Sequence, residues 1–283
     1  MVHESATLGI WFTLFVSFMV PLLGVIIFTL RNKKKGIPGA WIAGAFGFYI
    51  FQILFRFPIL NYMSEAGVLQ RMQQSSLILY ALFLALTAAL FETTARFAVA
   101  KIIEKRGLSY KRSIAAGMGH GGIESMILIG MTYISNLTYV AMIGNGTFDK
   151  VVEDAAASGI DVTELLEAKD ALINTSGFIF ALAGYERLMT MVMHVFLTVL
   201  ICYFVIQKQS PKGFVLCFLA HGFVDFVTGY VGMLSTKEAG SVLSQNTVYA
   251  ICYIFLTAVA ALSVWGCYKL YPDWDAIRKR TTA

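Results

Sequence analysis

Three of the chain's four histidines, His120, His194 and His221, stand inside long apolar runs, where an ionisable side chain is costly unless it is paired or hydrated. His120 belongs to AAGMGHGGIESMILIG at 115–130, with Glu124 four residues later. His221 belongs to LAHGFVDF, with Asp225 four residues later, and ALFETTARFAVA carries Glu92 and Arg96 at the same spacing. Residues four apart share a helix face, so three separate segments each turn an ionisable pair to one side. Carboxylates and imidazoles converging in a wet pocket suit the activation of water. A desolvated glutamate accepts a proton near neutral pH, while histidines can hydrogen-bond an oxyanion or protonate a leaving amine. The same groups can ligate zinc: His120, His194 and His221, with Glu124 or Asp225, supply enough donors and leave a position open. HGGIE has neither the spacing nor the neighbours of the HExxH zinc motif, and no GxSxG nucleophile occurs. Zinc and no cofactor both remain compatible with the sequence.

The elements that must position these groups are membrane helices. The 283 residues are 58% hydrophobic and 14% charged, a membrane protein's composition. Apolar windows predict an all-α polytopic protein with seven spans, near 8–30, 39–60, 75–100, 114–134, 188–206, 213–233 and 247–268. Each covers the roughly 30 Å of hydrocarbon at about 1.5 Å per residue. The segment 171–187, with GFIFALAGY, can lie at the interface, re-enter as a short eighth element, or lengthen the fifth span and bring Glu186 and Arg187 toward the pocket. The first run lacks a preceding basic segment and is read as a retained helix. Runs recur from end to end, so 1–283 is expected to form one integral membrane domain.

Loop charge sets the expected orientation. RNKKK after the first span contributes Arg31, Lys33, Lys34 and Lys35, KIIEKRGLSYKR after the third sets five basic residues against Glu104, the loop with Lys208 and Lys212 is basic, and the tail ends in RKR. The intervening segment 146–176 carries seven acidic residues against Lys150 and Lys169. That alternation places the amino end outside, 146–176 as an extracytoplasmic acidic loop, and the carboxyl end in the cytosol of a multi-pass cell-membrane protein. The net charge of +5 then reads as orientation and attraction to anionic lipid, with no nucleic-acid partner expected. Cys202, Cys217, Cys252 and Cys267 lie in apolar runs without a CxxC pair, which supports neither a disulfide framework nor a thiolate metal site.

Depth brings the polar residues together. Measured from the expected cytosolic ends, Glu92, His120 and His221 lie about 10–14 Å in, and Glu124, His194 and Asp225 about 16–20 Å in. One hydrated cavity can hold them all, with Arg96 grasping a carboxylate or a substrate carbonyl or else snorkelling. Glu186 and Arg187 form a candidate outer-rim site. Arg56, beside Pro58 in FQILFRFPIL, is expected to snorkel to the interface. Gly117, Gly119, Gly121 and Gly122 around the histidine, and Gly222 after His221, permit close helix approach.

Glu92 to Arg96, HGGIE at 120–124, Glu186–Arg187, His194 and HGFVD at 221–225 together resemble the YhfC-type intramembrane peptidases, related to the type II CAAX prenyl endopeptidase, bacteriocin-processing and PrsW-like group. The resemblance implies a glutamate-dependent peptide-hydrolysis site made by the ExxxR helix and later histidine helices. It also includes a non-catalytic scaffold subunit of a larger membrane protease. Phe91 stands where the paired-glutamate version has a second glutamate, so if that glutamate is the base in relatives, Glu92 or Glu124 replaces it here or catalysis is absent. The expected function is an intramembrane endopeptidase acting on a membrane protein or peptide. His120 and His221 serve as acid or oxyanion groups, Asp225 orients His221, and His194 is a further polar or ligand residue. A proton-coupled small-solute transporter and a substrate-binding scaffold are the alternatives.

Overall fold

The computed structural model describes residues 2–32, 36–236 and 240–281, with side chains as far as Trp274 in the last helix. Lys33, Lys34 and Lys35, and the side chains of the terminal RKR, lie outside the described residues. The protein is all-α and polytopic. Among the described residues, seven helices are long and apolar enough to span a membrane: α1 (Ala6–Asn32), α2 (Ile37–Glu65), α4 (Leu77–Lys105), α5 (Tyr110–Gly144), α8 (Gly177–Ile206), α9 (Ser210–Met233) and α10 (Gln245–Trp274 in its apolar part). Between them lie the shorter α3 (Val68–Ser75), α6 (Phe148–Ala157) and α7 (Thr163–Asn174). The segment at 177–187 is therefore the first three turns of the fifth span, and the acidic stretch folds into two helices that its polarity had concealed.

Local chemistry sets several boundaries. Gly36 takes φ 95° before α2, a left-handed conformation suited to glycine, and Pro38 follows in the first turn, where its missing N–H costs nothing. Ser76 caps α4 by accepting from Leu79 N at 3.3 Å. Asp161 Oδ1 accepts from Thr163 N at 2.9 Å and Oγ1 at 2.7 Å ahead of α7, bonds that hold its carboxyl below the usual range. Two spans widen to π-helical turns at Phe15–Met19 and Tyr49–Arg56, each just before a proline, Pro21 or Pro58. A proline cannot donate to the preceding turn and its ring crowds that turn's carbonyl, so the turn opens. A third widening, Ser125–Gly130, has no proline beside it, and we have no physical account of it.

The chain forms two compact units. The first comprises Met1–Leu23 and Glu124–Leu188. There Ala6, Ile10 and Leu14, one face of α1, pack on Tyr133, Leu172 and Phe180. A Cβ at Gly9 would lie 2.0 Å from Gly177 O, so the two backbones touch, and Thr13 Oγ1 donates to Phe180 O at 2.8 Å while accepting from Gly184 N at 3.0 Å.

The second unit, Gly24–Ile123 with Met189–Ala283, holds the larger core, which includes Leu197, Ile201, Cys202, Val205, Cys217 and Leu256. The glycines around His120 act as spacers on two sides of α5. A Cβ at Gly119 would stand 1.9 Å from Trp41 O of α2, and one at Gly117 would stand 2.5 Å from Val195 Cα of α8. Only glycine lets α5 approach both neighbours, and that approach carries His120 between them. Gly222 is less demanding: a Cβ there would meet Ala89 and Leu86 at 3.4 Å, ordinary contact.

Candidate active site

Four helices of the second unit converge on Glu92 of α4. Its Oε2 lies 3.0 Å from Arg96 Nη2, 3.0 Å from His120 Nε2, 3.6 Å from His221 Nε2 and 3.8 Å from His194 Nδ1. Glu92, Arg96, His120, His194 and His221 are between 1% and 5% exposed, so the carboxylate's charge must be compensated inside the protein. Arg96 supplies that compensation from one turn along the same helix.

The guanidinium also fixes the proton positions on two rings. Arg96 Nη1 lies 3.3 Å from His221 Nδ1, and Nη2 contacts His194 Nδ1. A guanidinium only donates, so both rings accept at Nδ1 and carry their proton on Nε2. His221 Nε2–H then faces Asp225 Oδ2 at 3.4 Å as well as Glu92. Asp225, whose side chain is 28% exposed, is the most accessible member of the group. His120 Nε2 donates to Glu92, which leaves its Nδ1 as a buried lone pair without a partner. The three rings stand in a row, with centroids 5.4 Å apart from His120 to His194 and 5.5 Å from His194 to His221, and Phe48 closes the row edge-on to His120 at 5.3 Å.

Six of the residues singled out in the sequence, Glu92, Arg96, His120, His194, His221 and Asp225, therefore meet in one unit. Glu124, at the turn after His120, belongs to the first unit together with Glu186 and Arg187. Arg187 Nη1 donates to Glu124 Oε1 at 3.2 Å and Nη2 donates to Glu186, so both acids clamp one buried guanidinium.

Two residues of the second unit escaped the sequence reading. Gln52 was passed over, and Arg56 does not snorkel: it turns inward to α4, donating from Nη2 to Leu84 O at 2.9 Å and toward Thr87 Oγ1 at 3.3 Å. The signal available was a Gln and an Arg four apart in an aromatic and aliphatic run.

The donor set suits a metal in kind. Glu92, His120 and His194 each offer a donor atom, and these lie within 4.8 Å of one another, as a carboxylate and two imidazoles do around zinc. The unpartnered Nδ1 of His120 is the atom a cation would most readily satisfy. Arg96 works against this at the other rings, since it holds the Nδ1 lone pairs of His194 and His221. The residues thus fit a metal through Glu92, His120 and His194, with Arg96 as the resident competitor for imidazole nitrogen.

The family model described as YhfC intramembrane metalloprotease matches residues 16–259, a range that contains this whole constellation. The chain is also 24% identical over 273 residues to the uncharacterized membrane protein YhfC of Bacillus subtilis (strain 168), an alignment covering 95% of this chain and 98% of that one. No solved structure matches. A seven-span helical protein with a buried glutamate and histidine group able to coordinate a metal, matched over most of its length, belongs to the YhfC intramembrane metalloprotease family.

Proposed function

We propose that the protein is an endopeptidase that hydrolyses a peptide bond in, or next to, a membrane segment of a protein or peptide substrate. The observation that supports this most is the position of Glu92 Oε2, 3.0 Å from both His120 and Arg96 with His221 just beyond. A carboxylate so placed takes the proton of an attacking water, while the neighbouring cation stabilises the negative charge that develops on the carbonyl oxygen. The proton that Glu92 takes from the water then passes to the leaving amine, while His221, held by Asp225, donates its Nε2–H to the developing oxyanion, and Asp225 at the exposed edge connects the ring to substrate. Glu92 is preferred to Glu124 as base because its Oε2 is bonded by His120 and Arg96, whereas Glu124 Oε1 is engaged by Arg187. Glu92, His120 and His194 would hold a divalent ion, which would supply Lewis acidity when bound.

The test is purified protein in lipid vesicles with a pooled library of single-span peptides, read by mass spectrometry. Discrete cleavage products are expected. Treatment with a strong chelator is expected to lower cleavage at least about tenfold, with recovery on added zinc. Cleavage that ignores the chelator removes the metal from this reading and leaves Glu92 with the histidines. Proton-driven solute uptake without any peptide product would replace hydrolysis by transport.

The proposed orientation puts the amino end and the two acidic helices outside and the carboxyl end in the cytosol, supported by the five basic residues at 101–112, where α4 ends and α5 begins, and the seven acidic residues at 146–176. A cysteine introduced at Asp161 should react with an impermeant reagent on intact cells, and one at Lys105 only after permeabilisation. The reverse pattern overturns the orientation.

A further inference from the structure

The histidines and Arg96 hold one oxygen of Glu92; the other is held by a residue outside every motif above. Gln52 of α2, 3% exposed, donates from Nε2 to Glu92 Oε1 at 2.5 Å. Its own Oε1 accepts from Arg56 Nη1 at 3.4 Å. Arg56 is fixed in turn by Leu84 O and Thr87 Oγ1, both on α4, the helix that carries Glu92. The chemistry of the ends settles which way the amide lies. Arg56 only donates, so the amide oxygen must face it, and ionised Glu92 only accepts, so the amide nitrogen must face the carboxylate. A cation on the amide oxygen polarises the group and strengthens its donation at the far end.

We infer that Gln52, backed by Arg56, is a positioning residue for Glu92: it occupies Oε1 and so fixes the rotation of the carboxylate that turns Oε2 to the histidines. This rests on the proposal that Glu92 is the reacting carboxylate. A carboxylate group is two-fold symmetric and rotates readily, and the four groups on Oε2 approach from α4, α5, α8 and α9. The opposing donor from α2 leaves a single rotation in which every contact is made. Gln52 and Arg56 stand four apart in the π-helical turn Tyr49–Arg56, so both reach that inner face.

Gln52→Met keeps the length of the side chain and removes the donor. In the vesicle assay it is expected to lower kcat at least about tenfold with KM within about twofold, because carboxylate geometry matters in the transition state more than in binding. The antisymmetric carboxylate stretch of Glu92, identified by its disappearance in Glu92→Gln, should shift in the infrared spectrum of Gln52→Met. Gln52→Asn, which keeps the amide but withdraws it, is the second variant and should move both readouts the same way. Arg56→Met should cost less, and the double variant Gln52→Met, Arg56→Met should be no slower than Gln52→Met alone, since Arg56 acts through Gln52. An unshifted band, or losses that simply multiply, overturns the inference about Gln52 even if Glu92→Gln is inactive. A shifted band alongside normal cleavage by Glu92→Gln instead overturns the role of Glu92 in hydrolysis, and with it the effect of Gln52 on rate.

Discussion

Glu92→Gln is expected to lower kcat for peptide hydrolysis at least about 100-fold while leaving the protein folded, whereas Glu124→Gln lowers it less than about tenfold. The amide matches the carboxylate in size and can still accept from Arg96, but it cannot take a proton from water. Glu124 differs because its Oε1 already accepts from Arg187, which shares Glu186 as a second counter-ion, so its carboxylate is committed to an ion pair. Initial rates on one identified peptide, with thermal unfolding measured in parallel, separate lost chemistry from lost structure. The reverse order of effects would move the base to Glu124, and full activity in both variants would remove a glutamate base from the account.

Arg96→Met is expected to be the most destabilising single substitution in the site, at about 3–5 kcal/mol in reversible unfolding from mixed micelles. Arg96 is 1% exposed and the one guanidinium shown bonding the Glu92 carboxylate and the Nδ1 atoms of His194 and His221. Its removal strands a buried anion and leaves two acceptors without their donor, a penalty larger than the pair's own net contribution. The double variant Glu92→Gln, Arg96→Met should lose less than the two single losses combined, because it strands no charge. Freed Nδ1 atoms should also raise zinc affinity, read by calorimetry. A stability loss below about 1 kcal/mol would show that the pair is hydrated and that Arg96 does not organise the site.

The spans were legible because lipid demands long uninterrupted apolar helices, and sequence length and hydropathy register that demand directly. The start of α8 was ambiguous because Glu186 and Arg187 break its hydropathy, and their cost is met by their pairing with each other and by a tertiary contact with Glu124. α6 and α7 were invisible to a search for apolar runs, being short and acidic. In the site, His120, His221, Glu92, Arg96 and Asp225 declared themselves as ionisable pairs four apart in apolar surroundings. Gln52 did not, because it is uncharged, and Arg56 was misplaced because the acceptors that hold it inward, Leu84 O and Thr87 Oγ1, lie on another helix. Which oxygen of Glu92 meets which ring, and the competition of Arg96 for imidazole nitrogen, depend on four helices at once and have no local signature.

The deciding measurement is hydrolysis in water enriched in oxygen-18, with purified protein in vesicles, the single-span peptide library and mass spectrometry of the products. The mechanism requires one solvent oxygen in the new carboxyl terminus of the amino-terminal fragment from each cleavage and none in the other fragment, and Glu92→Gln protein should yield at least about 100-fold less of the labelled fragment. Labelled product formed equally well by Glu92→Gln, or no product from the unaltered protein with any peptide in the library, would contradict hydrolysis at the Glu92 cluster.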